Sequence, residues 1–319
     1  MNLHTSVDLF KDAIQATAKN FSISEFLIEK DYWITRVLKS LSKSNDKEIV
    51  IFKGGTSLSK AYKILNRFSE DIDLAIIDSE SLSDRQRKTL LKNIEKSIVE
   101  KPLERIEAHP LTSKGSKYRK TAYQYPQVSE YPMGQAKDAV ILEINTFTTA
   151  KPFEKKKISS FISEFLEAQD KNLVEQYGLE PFELFVLSKN RTLIEKIFSL
   201  VRFSYESTES YGQLKEKIRH FYDVAVLCND PQVKKFIESP DFETMINTVK
   251  KDDARNPQFK GEWLQYDLTQ APLFQNTKSI MKGIAKDFSK FIEEFVYKDP
   301  FPLESCENAI RRLAKRFHR

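Results

Sequence analysis

Glycine is scarce in this chain, with 8 among 319 residues. That excludes collagen-like, low-complexity and glycine-linker architectures. There are two cysteines, Cys228 and Cys306, far apart and without a CxxC spacing. Neither a disulfide scaffold nor a zinc knuckle is expected, and a reducing cytoplasm fits best. The histidines His4, His109, His220 and His318 are scattered, and no pair has metal-ligand spacing, so zinc is not expected. No run of about 18 uncharged apolar residues occurs, which argues against a membrane span. Asp8, Lys11, Asp12 and Lys19 interrupt the first apolar positions, unlike the apolar centre of a signal peptide. A Gly-x-Ser-x-Gly elbow, a P-loop and a Cys/His pair are all missing, which leaves hydrolase, Walker-type ATPase and thiol-enzyme readings without support. Charge of one sign is also lacking: 51 Lys and Arg oppose 46 Asp and Glu, a net +5. The distribution of charge therefore says more than its sum.

What is present is enough for two domains at roughly 150 residues each. Helical spacing dominates. Phe10, Ile14 and Thr17 lead into a second helix from Ser24 to about Leu41. Glu48–Phe52 reads as a buried strand ended by Gly54-Gly55, and Ser57–Leu65 as a helix. Asp71–Ile77 and Ala139–Phe147 read as strands, with a basic helix over Ser83–Glu107 between them. Lys151–Lys157 reads as a charged connection, Ser159–Gln176 as a helix and Phe182–Ser188 as a short strand. Beyond Lys189 the pattern is helical: Arg191–Phe203, Tyr211–Leu227, Pro231–Glu238 and Asn276–Tyr297. The expected fold is α+β, a mixed sheet flanked by helices over residues 1–180, followed by a mainly helical domain over 181–319.

The stretch Phe52–Leu74 carries the chemistry. It reads as strand, tight glycine turn, helix, loop, strand. The turn Gly54-Gly55-Thr56-Ser57 brings backbone N–H groups and two hydroxyls to a helix start, a place for a phosphate. Asp71 and Asp73 lie two apart on a strand, so both carboxylates share one face. Two hard oxygen ligands beside a phosphate cradle are what Mg²⁺-dependent phosphoryl transfer requires. An Asp-x-Asp pair alone is more often a solvated strand face. Here Phe68, Ile72 and Leu74–Ile77 place it in a buried sheet, where unpaired carboxylates are expensive.

Three further residues allow two readings each. Glu143 is the only acid in the strand Ala139–Phe147, and it either meets a cation at the aspartate pair or pairs with a lysine. Lys196 lies off the apolar face made by Leu193, Ile197, Leu200 and Val201, as either a functional cation or a plain helix-surface residue. Asp223 stands four residues after Arg219, so an ordinary i,i+4 ion pair is available to it.

Gly54-Gly55-Thr56-Ser57 followed by Arg67-Phe68-Ser69-Glu70-Asp71-Ile72-Asp73-Leu74 resembles the signature of the AbiEii/AbiGii-type nucleotidyltransferase toxins. These belong to the polymerase-β-like nucleotidyltransferase superfamily and include the MenT-type tRNA-modifying toxins. Glu29–Thr35, Arg191–Lys196 and Arg219–Asp223 resemble three more stretches of that family, in its order. The segment between Ser57 and Asp71 is a few residues longer than in the shortest superfamily members, which leaves individual phosphate contacts open. The resemblance implies an NTP-dependent enzyme in which Asp71, Asp73 and Glu143 hold Mg²⁺, or Mn²⁺ in its place. It implies that Gly54–Ser57, Arg191, Thr192 and Lys196 contact the nucleotide, and that Asp223 positions Lys196 or the metal. It also raises Asp31 to a candidate. It further implies an RNA acceptor, the 3′ end of tRNA, and a cognate antitoxin within a bacterial toxin–antitoxin or abortive-infection system. Nucleotidylation of a protein or small molecule, and a non-catalytic nucleotide- or RNA-binding protein, are the competing readings.

An RNA partner has two candidate surfaces. Arg85–Lys120 holds eleven basic residues against four acidic ones, followed by Tyr118, Tyr123, Tyr125 and Tyr131. Cations interleaved with aromatics suit phosphate contact and base stacking. Ile310–Arg319 reads as a basic amphipathic helix. A solvated face and a docked terminal helix are the plain alternatives.

Overall fold

A computed structural model describes residues 2–77, 81–130, 138–206, 211–256, 259 and 261–317. Tyr131, His318 and Arg319 lie outside the described residues. The chain divides into two compact units, Met1–Lys63 with Phe68–Leu187, and Ile64–Arg67 with Ser188–Arg319.

The first unit runs α1 (Val7–Phe21), α2 (Glu25–Lys43), β1 (Val50–Lys53), α3 (Gly54–Lys60), β2 (Asp71–Ile76), α4 (Asp84–Ile98), β3 (Glu104–Arg105), β4 (Ser113–Lys114), β5 (Tyr118–Gln124), β6 (Val140–Asn145), β7 (Phe153–Ile158), α5 (Phe161–Gln169), α6 (Lys171–Gln176) and β8 (Phe182–Leu187). The strands form one mixed sheet in the order β3-β5-β6-β2-β1-β8-β7, with β4 beside β5. β2 runs antiparallel to β1 and parallel to β6, so it sits at the middle of the sheet. Its alternation decides which way each side chain faces. Ile72, Leu74 and Ile76 are buried on one side, while Asp71 and Asp73 are half-buried on the other. Beyond the aspartates that second face turns apolar again, where Ala75 packs with Ile51, Ala150 and Leu187.

Several elements differ from expectation. The helix read over Ser57–Leu65 starts at the glycines and ends at Lys60, and Lys63 takes a left-handed conformation with φ of 55°. The helix read over Ser83–Glu107 stops at Ile98, and Glu104–Arg105 pairs with β5 instead. Its start is set by a capping box between Ser83 and Gln86. The charged connection Lys151–Lys157 is largely strand β7, the edge of the sheet, where lysines keep the open edge from pairing with other chains. The helix over Ser159–Gln176 is two, broken at Asp170, whose carboxylate caps α6 through Asn172 N–H. Strand β8 stays in the sheet of the first unit, past the boundary expected after residue 180.

The second unit is helical: α7 (Lys189–Glu206), α8 (Gly212–Lys215), α9 (Ile218–Asn229), α10 (Pro231–Glu238), α11 (Asp241–Arg255), α12 (Pro272–Gln275), α13 (Thr277–Phe295) and α14 (Leu303–Phe317). The helix expected over Tyr211–Leu227 is divided into α8 and α9. Helix α9 packs against α7 and α14 through Phe221, Val224, Leu227 and Cys228, all fully buried. The short segment 64–67 joins this unit by a bridge between Arg67 and Val296 and a bond from Tyr297 N–H to the Asn66 carbonyl at 3.1 Å.

Candidate active site

The glycine turn and β2 are shaped around each other. Gly54 has φ of +76°, and a Cβ built on it would lie 2.0 Å from Asp73 Oδ2. Only a residue without a side chain fits there, on both conformational and steric grounds. The neighbouring hydroxyls hold the turn together. Thr56 Oγ1 donates to the Asp71 carbonyl and lies 3.0 Å from Ser69 Oγ, and Ser57 Oγ donates to the Gly54 carbonyl at 2.9 Å. Thr56 and Ser57 are buried, so their hydroxyls fix the approach to β2.

Strand register lines up four charges on the same face of the sheet. Lys53 of β1 faces Asp73 of β2, Asp73 faces Glu143 of β6, and Glu143 faces Lys120 of β5. Of the two readings of Glu143, the structure displays the lysine pairing. Lys120 Nζ contacts Oε1, and the Tyr118 hydroxyl donates to Oε2 at 2.8 Å. Burial and then Glu143, with Asp73 and Asp71 behind it, push the Tyr118 phenol well above its usual pKa. Burial works against the Lys120 charge, but Glu143 and the two aspartates outweigh it and hold the ammonium above its ordinary range.

Among the described residues, no three His, Cys, Asp or Glu side chains are arranged as a metal cage. Asp71 and Asp73 nevertheless fit a hard divalent cation. Mg²⁺ is commonly held by one or two carboxylates, its remaining positions filled by water and substrate phosphate.

The stretch Glu29-Lys30-Asp31 is buried, and each residue ties α2 to a different segment. Glu29 accepts from Val128 and Ser129 N–H, both at 2.9 Å. Lys30 meets Glu70, the residue before Asp71, at 3.0 Å with both side chains wholly enclosed. Asp31 contacts Lys60 Nζ at 2.5 Å and accepts from Phe161 N–H at 2.9 Å. Asp31 is therefore a buried anchor for Lys60 and for the start of α5.

In the second unit Asp223 is fully buried and takes two bonds from Arg67, Nε and Nη2 each at 2.6 Å, with Lys196 Nζ at 2.7 Å from Oδ2. Burial alone would raise its pKa. Arg67 and Lys196 prevail and hold the carboxyl well below the usual range. Arg219, the i,i+4 candidate, lies over the Phe295 ring at 4.3 Å. Arg191 is wholly buried, bonded to Glu195 at 3.2 Å and to Asp252. Thr192 Oγ1 donates to the Ser188 carbonyl at 3.0 Å. These bonds hold both side chains in place at the start of α7. Desolvation and the nearby Lys196 and Lys217 charges hold the His220 imidazole well below its usual pKa, which makes it a neutral helix histidine.

The basic, tyrosine-rich stretch is not the exposed patch its composition suggests. Arg119 is buried against Glu95, which also accepts from the Tyr123 hydroxyl. Tyr125 is buried and stacks on Trp33 with ring centroids 5.8 Å apart. Lys120 belongs to the sheet row. An exposed stripe remains on α4: Arg85, Lys88, Lys92 and Lys96, at helical spacing, away from the buried Leu91, Ile94 and Ile98. The terminal helix is docked, with Ile310 and Leu313 buried and Arg316 Nε donating to the Ile237 carbonyl at 2.8 Å.

Composition had no means of revealing Arg67, Lys30, Lys120 and Tyr118 as partners of the acids. The sole hint was the acid-dense run Glu70-Asp71-Ile72-Asp73, whose charges need cations from elsewhere.

The fold is α+β, with a glycine turn pressed against an Asp-x-Asp strand in a mixed sheet and a separate helical unit. The model of one family, described as "Nucleotidyl transferase AbiEii toxin, Type IV TA system", matches residues 36–312, and the chain belongs to that family. It is a nucleotidyltransferase toxin of a type IV toxin–antitoxin system, with an NTP substrate and an antitoxin partner. Among solved structures it is similar to MenT4, a nucleotidyltransferase toxin from Mycobacterium tuberculosis H37Rv, at 14% identity and a TM-score of 0.47 over 96% of this chain and 98% of that one. Comparison with curated proteins finds no match. Among the described residues, no helix is long and apolar enough to cross a membrane.

Proposed function

We propose that the enzyme transfers a nucleotide from an NTP to a hydroxyl of RNA, the 3′ end of tRNA, with release of pyrophosphate, in the bacterial cytoplasm. The observation that carries this reading is the pair Asp71 and Asp73 on one strand face, with Asp73 against the Gly54 backbone. Asp71 and Asp73 hold a divalent cation, Mg²⁺ or Mn²⁺. When bound, that cation supplies Lewis acidity to phosphate oxygens. In this reading the backbone N–H groups of the Gly54–Ser57 turn, at the start of α3, contact the phosphates beside the aspartates. Lys196, braced by Asp223, supplies positive charge to the triphosphate. In this reading the new bond forms between the acceptor oxygen and the α-phosphorus, and the bond from that phosphorus to the bridging oxygen breaks.

The RNA acceptor draws support from the exposed cations Arg85, Lys88, Lys92 and Lys96 of α4, since a cationic stripe suits a phosphate backbone. Incubation with each radiolabelled NTP and total RNA tests the whole reading. Label in RNA, concentrated in tRNA, is the expected result. Label in protein or in a small molecule moves the acceptor, and no label with any NTP removes the transfer reaction.

A further inference from the structure

The Tyr118–Glu143–Lys120 group adjoins the aspartate pair on the same face of the sheet. Three features make it more than a surface ion pair. Its geometry is set by the backbone: Lys120 stands directly across from Glu143 in the β5–β6 ladder, and Tyr118 is two residues away on the same face. Both carboxylate oxygens of Glu143 are engaged, Oε1 by Lys120 and Oε2 by Tyr118. The group also adjoins the aspartates, because Glu143 is the register partner of Asp73. An ammonium carries three donors, so the Glu143 bond leaves Lys120 with capacity for another acceptor.

We infer that Lys120 is a phosphate-binding residue of the active site, and that Glu143 and Tyr118 are its positioning residues, Glu143 serving this role in place of metal ligation. The inference rests on the nucleotidyltransfer reading above. The ligand class is the phosphate chain of the NTP, whose charge would otherwise be repelled by Asp71, Asp73 and Glu143. A lysine fixed by a neighbouring carboxylate and phenol arrives pre-oriented, and such charge is effective where water is excluded. The alternative is that Glu143 is a third metal ligand and Lys120 only occupies the place of the cation.

The two assignments separate when metal binding and catalysis are read independently. Mn²⁺ binding is measured by electron paramagnetic resonance on the full chain without nucleotide. NTP turnover is measured in parallel on wild type, Lys120→Ala, Lys120→Arg, Glu143→Gln, Tyr118→Phe and Asp73→Asn, each checked for folding by circular dichroism. The expected result is that Lys120→Ala lowers kcat/KM by roughly 100-fold, while Lys120→Arg recovers much of the loss. Glu143→Gln and Tyr118→Phe lower turnover by roughly 10-fold, as expected of residues that act by holding Lys120. All four keep Mn²⁺ affinity within about 2-fold of wild type, and Asp73→Asn loses it. If Glu143→Gln weakens Mn²⁺ by 10-fold or more, or Lys120→Ala turns over like wild type, the Lys120 assignment is overturned while the aspartate site stands. If Asp73→Asn keeps both Mn²⁺ binding and turnover, the nucleotidyltransfer site itself is misplaced and the Lys120 assignment goes with it.

Discussion

A side-chain carbon on Gly54 would stand 2.0 Å from Oδ2 of Asp73, on a backbone already at φ of +76°. Gly54→Ala is therefore expected to move the carboxylate as well as strain the turn, costing about 1–2 kcal/mol or more in stability and most of the activity. Gly178 is the matched control. Its φ is +62°, but nothing lies within 4 Å of an added Cβ. Gly178→Ala should cost about 1 kcal/mol and leave turnover intact. Thermal melts and NTP turnover on both variants check this, and equal activity losses would show that backbone strain alone is responsible.

Asp71→Asn and Asp73→Asn each keep the shape of β2 while removing a charge from the half-buried face. Turnover should fall by at least ~100-fold. Both variants should stay folded, because the acids lie on the half-buried face of β2 and its apolar face is untouched. Turnover close to wild type in either variant would place the reaction elsewhere.

Asp223 lies within bonding distance of both Arg67 and Lys196. Asp223→Asn removes a fully buried charge that meets two buried cations and should cost about 3–5 kcal/mol. Lys196→Met should cost less, because Asp223 then keeps its two bonds from Arg67. Urea denaturation of both variants checks the order, and Lys196→Met should still lose activity toward NTP.

Lys30 and Glu70 pair at 3.0 Å with both side chains fully buried. Lys30→Met alone should destabilise by about 3–5 kcal/mol, whereas Lys30→Met with Glu70→Met should return most of that loss. Equal instability in the single and double variants would mean that this pair does not hold the approach to β2.

His4 accepts or donates a bond with the Tyr32 hydroxyl at 2.7 Å, and burial, then Arg36, lower its pKa from 6.5 to about 4. The unfolded chain therefore binds the extra proton first. The stabilisation is complete above pH 6.5, falls as the pH drops toward 4, and levels off below that. Because the ring is partly exposed, the effect should be on the order of 1 kcal/mol. Melts of wild type and His4→Gln between those limits should converge as the pH falls.

Much of the sheet was readable from local pattern. Ile72, Leu74 and Ile76 alternating with Asp71 and Asp73 define a half-buried strand with both acids on one face, because side chains in a strand alternate with period two. Strand β7 was hidden, since Phe153–Ile158 is mostly charged and joins the sheet through backbone bonds to β8 that side-chain pattern does not record. Strand β5 was hidden for a related reason. Its Arg119, Tyr123 and Lys120 look like a polar surface until Glu95 and Glu143 are brought beside them.

The sequence by itself determined the glycine turn, the Asp-x-Asp strand, the order of sheet and helical parts and the family, because these depend on neighbours along the chain. Tertiary structure decided the partners: Lys30 for Glu70, Lys60 for Asp31, Arg67 and Lys196 for Asp223, Lys120 and Tyr118 for Glu143. Many cations could have served each acid. The choice among them is made by strand register and helix packing, which bring residues far apart in the chain to within bonding distance and bury the charges that find each other there.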